Sequence, residues 1–350
     1  MDLPAGTRNY SYAEDMAIFR TRTHWFLLFA LLLILFTAPL WFGGHWLGIA
    51  NRIGITIIAV TGLNILTGYC GQLSIGHAGF MAVGAYTSAI LVGKFDQPFI
   101  VGLLCAGVIS GLVGILFGVP SLRVKGFYLA ISTIAAQFII IWVIEHWTSL
   151  TGPDGILDVG PASFGGIVLK TTTNEFYLIL IITIIAIFAA KNIARTRVGR
   201  AFVAIRDNDL AAEVMGINLF RYKLTAFFIG CFFAGIAGSL LAHTSRGISP
   251  DYFQFKDSIL FIGMIIIGGL GTTTGPILGV IFIRLLDELV TQLSPTLQTA
   301  FPNLLPGFTS GIAPMVFGLA IILFLIFEPR GLAHRWQLFK SAYRYWPFSY

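Results

Sequence analysis

The feature that most constrains this chain is the recurrence of long apolar runs, at residues 25–42, 53–66, 99–119, 127–143, 176–190, 224–242, 259–267 and 312–327. A helix crosses a hydrocarbon core with roughly 20 residues, and several of these runs approach or exceed that length. One such run could hide in a large soluble core. Eight leave too little polar sequence to cover an exterior, because only 11% of the 350 residues are charged while 56% are hydrophobic. The chain is therefore read as an all-α, polytopic membrane protein. Its 39 glycines are spread through the apolar runs, as in spanning helices that approach one another closely. Gly107, Gly111, Gly114 and Gly118 fall on one helical stripe and predict a packing face.

Charge supplies a topology. The sequence drafts ten spans, 24–42, 50–67, 74–93, 99–119, 127–146, 175–190, 224–243, 255–270, 275–292 and 311–328, with both ends in the cytoplasm. Of the 22 Lys and Arg residues, sixteen then fall on the inner side, leaving Arg52, Lys94, Lys170, Arg246, Lys256 and Arg284 for the outer side or the spans. The net charge of +6 thus reports orientation and requires no nucleic acid. Residues 1–23 form a cytoplasmic segment, 24–328 the membrane domain and 329–350 a cytoplasmic tail. The first 22 residues are polar and too long for a typical signal n-region, and no small-residue cleavage site follows, so the first helix is expected to stay attached. Cys70, Cys105 and Cys231 lie in or beside apolar runs and read as plain core thiols.

Two apolar stretches are interrupted. At 68–84, GYCGQLSIGHAGFMAVG places Gln72, Ser74 and His77 among glycines. At 268–276, GGLGTTTGP carries Gly271, Thr272 and Thr273. Irregular backbone at membrane depth persists only inside protein or beside a watery cavity, and paired interruptions in two halves point to an inverted repeat with a pathway between them. Gly71, Gln72, Ser74, His77, Gly271, Thr272 and Thr273 are accordingly candidate pathway residues. The competing reading is local: glycines permit tight crossings and the hydroxyls bond their own backbone. Segment 255–270 is short and starts with charge, so a re-entrant half-helix is an alternative to a full span. The outer loop 148–175 reads as a connector ordered by turns, and Arg284, Asp287 and Glu288 as an ion network within one helix.

The longest basic stretch, 191–223, contains signals for a short helix lying along the membrane. Asp207 and Asp209 supply charge at its start, Leu210 and Val214 share a face, and Gly216 suits a left-handed stop. A solvated, orienting loop is the alternative. No phosphate-binding G-x-x-x-x-G-K-[ST] motif, zinc-protease spacing, metal-ligand cluster or nucleophile elbow occurs, so neither an ATP site nor enzyme chemistry, metal or cofactor is expected within the chain.

The stretch RVGRAFVAIRDNDLAAEVMGINLFRYKLTAF resembles the cytoplasmic loop of branched-chain amino acid ABC transporter permeases. So do LNILTGYCGQLSIGHAGFMAVGAYTSAIL, SLRVKGFYLAISTIA, TGPDGI, SPDYFQFKDSILFIGMIIIGGLGTTTGPILG and FEPRGL, in order across most of residues 50–332. The resemblance is to the larger, M-type subunit. It implies a bacterial inner-membrane importer of leucine, isoleucine or valine, with urea, other amino acids or aromatic acids as the variants known in such systems. It also implies as partners a sister H-type permease, two ABC ATPase subunits and a periplasmic or lipid-anchored binding protein, besides membrane lipid. By the same resemblance Asp209 to Gly216 form a coupling helix that docks in an ATPase groove, with Glu213 and Gly216 matching the glutamate and glycine of the importer loop motif. The rival class is a self-sufficient secondary transporter or channel, and a more distant one an intramembrane enzyme. A secondary transporter places a carboxylate at the midplane, whereas the acidic residues here are read as lying in loops and near span ends.

Overall fold

Lipid offers the backbone no hydrogen bonds, so apolar segments of this kind must satisfy their own, and helices do so. The computed structural model describes residues 22–121, 126–164, 167–300 and 308–345. The basic residues Arg8, Arg20, Arg123 and Lys125, Gly165 and Gly166 of the 148–175 connector, and the start and end of the two terminal segments lie outside that range. The membrane part comprises α1 (Arg22–Trp41), α2 (Gly44–Leu63), α3 (His77–Gly93), α4 (Phe99–Ser121), α5 (Phe127–His146) and α6 (Thr172–Arg195). The connecting loop carries α7 (Arg197–Asp207) and α8 (Asp209–Val214). After it come α9 (Leu219–Ser245), α10 (Phe255–Gly268), α11 (Gly275–Ala300), α12 (Phe308–Phe327) and α13 (Leu332–Tyr345).

Each drafted span coincides with one of these helices. Among the described residues, five segments are long and apolar enough to cross a membrane by themselves: Gly44–Tyr69, Phe99–Pro120, Tyr128–His146, Thr172–Arg195 and Leu219–Ser245. A sixth is added if Pro314–Phe327 and Leu332–Ala342, bent by 46°, count as one. The apolar helices Trp25–Trp41 and His77–Gly93 are shorter, and α10 has 14 residues, about 21 Å at the helical rise. The chain is therefore a multi-pass helical membrane protein.

Helix α9 is the centre, packed on α4, α3 and α2; α6 lies against α2, and α10 against α11. Close approach comes from glycine. Gly107, Gly111 and Gly114 of α4 face Phe232, Phe228 and Cys231 of α9 so tightly that added β-carbons would sit 2.8, 2.7 and 2.5 Å from them, while Gly118 faces Phe227 at 3.2 Å. Leu104, Val108, Leu112 and Leu116, on other faces of the same helix, are exposed, as lipid-facing positions should be. Cys70 and Cys231 are buried free thiols and Cys105 is half-buried.

A β-carbon at Gly84 would lie 2.3 Å from Gly235 on α9, and one at Gly238 would lie 2.0 Å from the Met81 carbonyl. Backbone cannot retreat from such contacts cheaply, and overpacking costs about 1–3 kcal/mol even at deformable sites. Gly235→Leu is expected to remove most monodisperse protein from detergent extracts. Gly93→Leu, where nothing lies within 4 Å, should leave the yield unchanged, and equal yields would contradict the packing account.

At the end of the bundle away from the loop, the described residues of the 148–175 connector form turns and short strand pairs. β1 (Leu157–Asp158) pairs with β4 (Gly247–Ile248), and β2 (Ser163–Phe164) with β3 (Ile167–Val168). The Tyr86 hydroxyl donates to the Gly155 carbonyl, and Lys94 donates to the carbonyls of Ser149 (3.0 Å) and Leu150 (2.8 Å). These bonds tie the connector to α3. It thereby becomes a fixed cap on the bundle.

Candidate functional site

Both sequence interruptions lie at one end of the bundle, and they touch. Helix α2 loosens into a π-helical turn at Asn64–Tyr69, and the chain stays non-helical until α3 begins at His77. The second break separates α10 from α11, with Gly269 at φ +112° and Gly271 at φ +69°. Asn64 joins them. Its Nδ2 donates to the Thr272 carbonyl at 2.8 Å and its Oδ1 accepts from the Gly271 N–H at 3.0 Å. One side-chain amide thus satisfies a donor and an acceptor that the second break leaves open, where an unpaired buried group would cost about 1–3 kcal/mol. A π turn carrying such a residue is a common mark of a functional position.

The loop is built by caps. Thr196 accepts from Gly199 N–H to start α7, Asn208 accepts from Ala211 N–H to start α8, and Asn218 accepts from Arg221 N–H to start α9. Two helices therefore stand where the sequence suggested one. Asp207 closes α7 instead of opening α8, because Asn208 takes the cap. Gly216 has φ +85° and ends α8. Helix α8 is tethered on one side by buried Ala212 and by Asp209, 3.8 Å from Lys223. Its other side has no cover among the described residues: Leu210 is 65% exposed, Val214 88% and Met215 83%. Glu213 is exposed beside them.

Arg206, at the end of α7, links the loop to both breaks. Its Nη1 donates to the Gly68 carbonyl at 3.1 Å and its Nε to Asp207 at 2.9 Å. Gly71, at φ +72°, has Arg206 Cγ 3.0 Å from where a β-carbon would be, and at Gly271 the nearest atom would be Arg206 Nη1 at 2.8 Å. A cavity of about 390 Å³ opens beside it, lined by Gly71, Gln72 and Leu73 of the first break and by Asp207, Asn208, Asp209 and Lys223 of the loop. The loop is thus joined to the first break through Arg206, and the first break to the second through Asn64.

The remaining candidates separate. Ser74 and His77 are fully buried away from this cavity; His77 Nε2 lies 3.1 Å from the Ala59 carbonyl, while Ser74 Oγ and His77 Nδ1 have no hydrogen-bond partner among the described residues. The start of α3 is instead satisfied from other helices, with Ile75 N–H donating to Thr133 and Ala78 N–H to Ser258, whose hydroxyl donates to Gln137. Thr272 caps α11, accepting from Gly275 N–H and donating to the Gly269 carbonyl. Thr273 is half-buried. Asn64, Arg206 and Lys223 are the functional candidates that pattern reading missed. Only Asn64 left a sequence signal, as a lone amide in an apolar run beside the glycines.

Asp287 and Glu288 lie near the middle of the helix Gly275–Ala300, and Glu288 is 3.0 Å from His45 at the start of α2. Arg284 makes the ion pair expected within α11 and also reaches a second helix. Its Nε and Nη2 donate to Thr56 of α2 at 3.2 and 2.9 Å, and Asp287 is 3.9 Å away. Among the described residues, no group of three His, Cys, Asp or Glu side chains could hold a metal ion.

A multi-pass helical bundle whose two helix breaks meet beside the α7–α8 loop is an architecture that fits a membrane permease. The chain belongs to the family described as branched-chain amino acid transport system, permease component, whose profile matches residues 46–327. It is 30% identical over 329 residues to the high-affinity branched-chain amino acid transport system permease proteins LivM of Salmonella typhimurium and Escherichia coli, covering 87% of this chain and 74% of each relative. It is 26% identical over 254 residues to LivH of Salmonella typhimurium, covering 67% of this chain and 80% of the relative. No solved structure matches it significantly.

Proposed function

We propose that the chain is the M-type translocating subunit of an ATP-driven importer of branched-chain amino acids in a bacterial inner membrane, with α8 as its coupling helix. The supporting observation is an apolar helix face, Leu210 and Val214, held outward by its caps on a loop wired to the two helix breaks. An exposed apolar face on a rigid mount fits a partner groove, whereas a solvated loop would bury or lack it. The loop, its basic flanks and both termini are then cytoplasmic, in keeping with the positive-inside bias. The ten helices that coincide with the drafted spans, alternating in direction, would form an inverted-repeat core whose pathway runs between this chain and a sister permease.

Movement follows from the connections. An ATPase pair that closes on α8 would displace α7 and α8 as a body, since Asn208 caps one onto the other. Arg206 would carry that displacement to Gly68 and Gly71, and Asn64 onward to Gly271 and Thr272. Glycine at positive φ lets both breaks change direction with little resistance. Specificity for leucine, isoleucine or valine would rest largely on a separate binding protein that delivers cargo to the outer face.

The test places a single cysteine at Val214 in a chain lacking Cys70, Cys105 and Cys231, co-expressed with two ATPase subunits and a sister permease. A short bifunctional thiol reagent should give an adduct with the mass of chain plus one ATPase. A cysteine at Leu104, exposed on α4, should give none. An assembled complex without a Val214 adduct would contradict the coupling role.

A further inference from the structure

Helix α11 carries a polar face that packing alone does not explain. Arg284, Asp287, Glu288, Thr291 and Gln292 recur at the i, i+3, i+4, i+7 and i+8 spacing of one helical stripe. Leu285, Leu289 and Leu293, on other faces, are exposed as lipid-facing residues should be. The stripe lies against α2, which runs antiparallel: Asn64 meets Gly271, Thr56 meets Arg284, and His45 meets Glu288 at 3.0 Å. The seam reaches the membrane interior. Thr56 is near the middle of the 26-residue segment Gly44–Tyr69, and Arg284 is nine residues into α11, about 14 Å from its start at the helical rise.

Three of the charged or titratable groups are engaged. Arg284 is held by Thr56, and Glu288 by His45 and by Gln292 at 2.8 Å. Two charges are less firmly held. The Arg52 side chain, exposed and one turn from Thr56, makes no hydrogen bond or salt bridge among the described residues, although its charge is close enough to act on Arg284 and Glu288, and its carbonyl accepts from the Thr56 hydroxyl at 2.7 Å. Asp287, whose side chain is 44% exposed, lies one turn from the level of Thr56 in the same direction and has only the 3.9 Å approach to Arg284. Because the helices are antiparallel, Arg52 and the loosely held Asp287 fall at about the same level of the seam, one turn from the Thr56–Arg284 contact. Charges there are retained where they meet water, solute or an opposite charge, not lipid. The seam holds Arg52 and Arg284 together with Asp287 and Glu288, and Asp257 of α10 is also close enough to interact with Arg284, so groups of both signs line it. A zwitterion would match both walls.

We propose that the α2–α11 seam is a mid-membrane binding station for zwitterionic amino acids, with Arg52 taking the cargo carboxylate and Asp287 its ammonium group. This rests on the importer reading above and names where cargo meets the chain. Asn64, at the inner end of the same two helices, would then couple occupancy of the station to the breaks.

The test uses the complete importer reconstituted in vesicles, without the three native cysteines, bearing Thr291→Cys on the polar stripe or Leu289→Cys beside it. The probe is a membrane-impermeant cationic methanethiosulfonate. The Thr291 thiol is expected to react about tenfold faster than the Leu289 thiol, and leucine supplied with binding protein and ATP should slow it. Asp287→Asn and Arg52→Gln should each lower leucine uptake about tenfold or more, by loss of one charge-assisted contact, while the amount of assembled complex is unchanged. A Thr291 thiol as unreactive as that at Leu289 means a dry protein contact and overturns the proposal, as does uptake within twofold of the parent in both charge variants. If the parent shows no ATP-driven uptake, the importer reading itself fails, and thiol reactivity without turnover still decides whether the seam is wet.

Discussion

Replacing Leu210 and Val214 together by Asp is expected to abolish amino acid uptake while leaving the chain in the membrane. Both side chains point away from the bundle, 65% and 88% exposed, so the fold loses little when they change. In a docked complex the same two positions would be buried, and two unpaired carboxylates in an apolar contact cost on the order of several kcal/mol. That is more than about a 100-fold loss of subunit affinity. The measurement is the amount of ATPase retained by the purified chain, together with uptake. Retained ATPases and native uptake would remove α8 from the mechanism. Leu210→Ala should have a much smaller effect, since it shortens the contact without introducing charge.

The second large effect is expected at Asn64. Leucine there has nearly the same volume but leaves the Gly271 N–H and the Thr272 carbonyl unpaired, a penalty of about 2–6 kcal/mol when two buried groups are counted. Uptake should fall about tenfold or more, and the thermal midpoint of the detergent-solubilised chain should drop. Asn64→Asp keeps the acceptor for Gly271 but sets a carboxylate against the Thr272 carbonyl, so it should be intermediate in stability. If Asn64→Leu transports and melts like the parent, the two breaks are not clasped by this residue. Arg206→Ala, which removes the link from the loop to Gly68, should reduce uptake with less change in melting, because that guanidinium is partly exposed.

How much of this was legible in the sequence follows from the range of the forces involved. Apolar runs mark helices because burial and backbone satisfaction act locally, and each drafted segment falls on a helix, although α2 starts at Gly44 instead of 50, α6 runs to Arg195 instead of 190, α9 starts at Leu219 instead of 224 and α11 continues past 292 to Ala300. The Gly107 to Gly118 stripe was readable because a helix fixes its own face. The glycine breaks were visible as interruptions, yet nothing local says that 64 meets 271, since Asn64 and Gly271 are 207 residues apart and joined by side chain to backbone. Arg206 was one basic residue among many in a basic loop. Asp207 was misplaced by one helix because Asp and Asn both cap, and only the observed turn decides that Asn208 does so. Arg284 was assigned to its own helix by spacing, but its closest partner is Thr56, 228 residues away. Ser74 and His77 are candidates by composition; both are fully buried, and neither lines the cavity beside Arg206.

Asp287 and Glu288, carried along α11, bear on the rival class, because a secondary transporter uses carboxylates near the bilayer midplane. The central claim, that transport by this chain is driven by ATP hydrolysed on its partners, is therefore tested most directly by leucine uptake into vesicles with ion gradients collapsed by ionophores. The vesicles carry the chain with its sister permease and two ATPases, with binding protein outside and ATP sealed within. Accumulation that requires ATP, every partner and an intact α8, and that survives the ionophores, is the predicted result. Accumulation by the chain alone, driven by an ion gradient and indifferent to ATP, would contradict it.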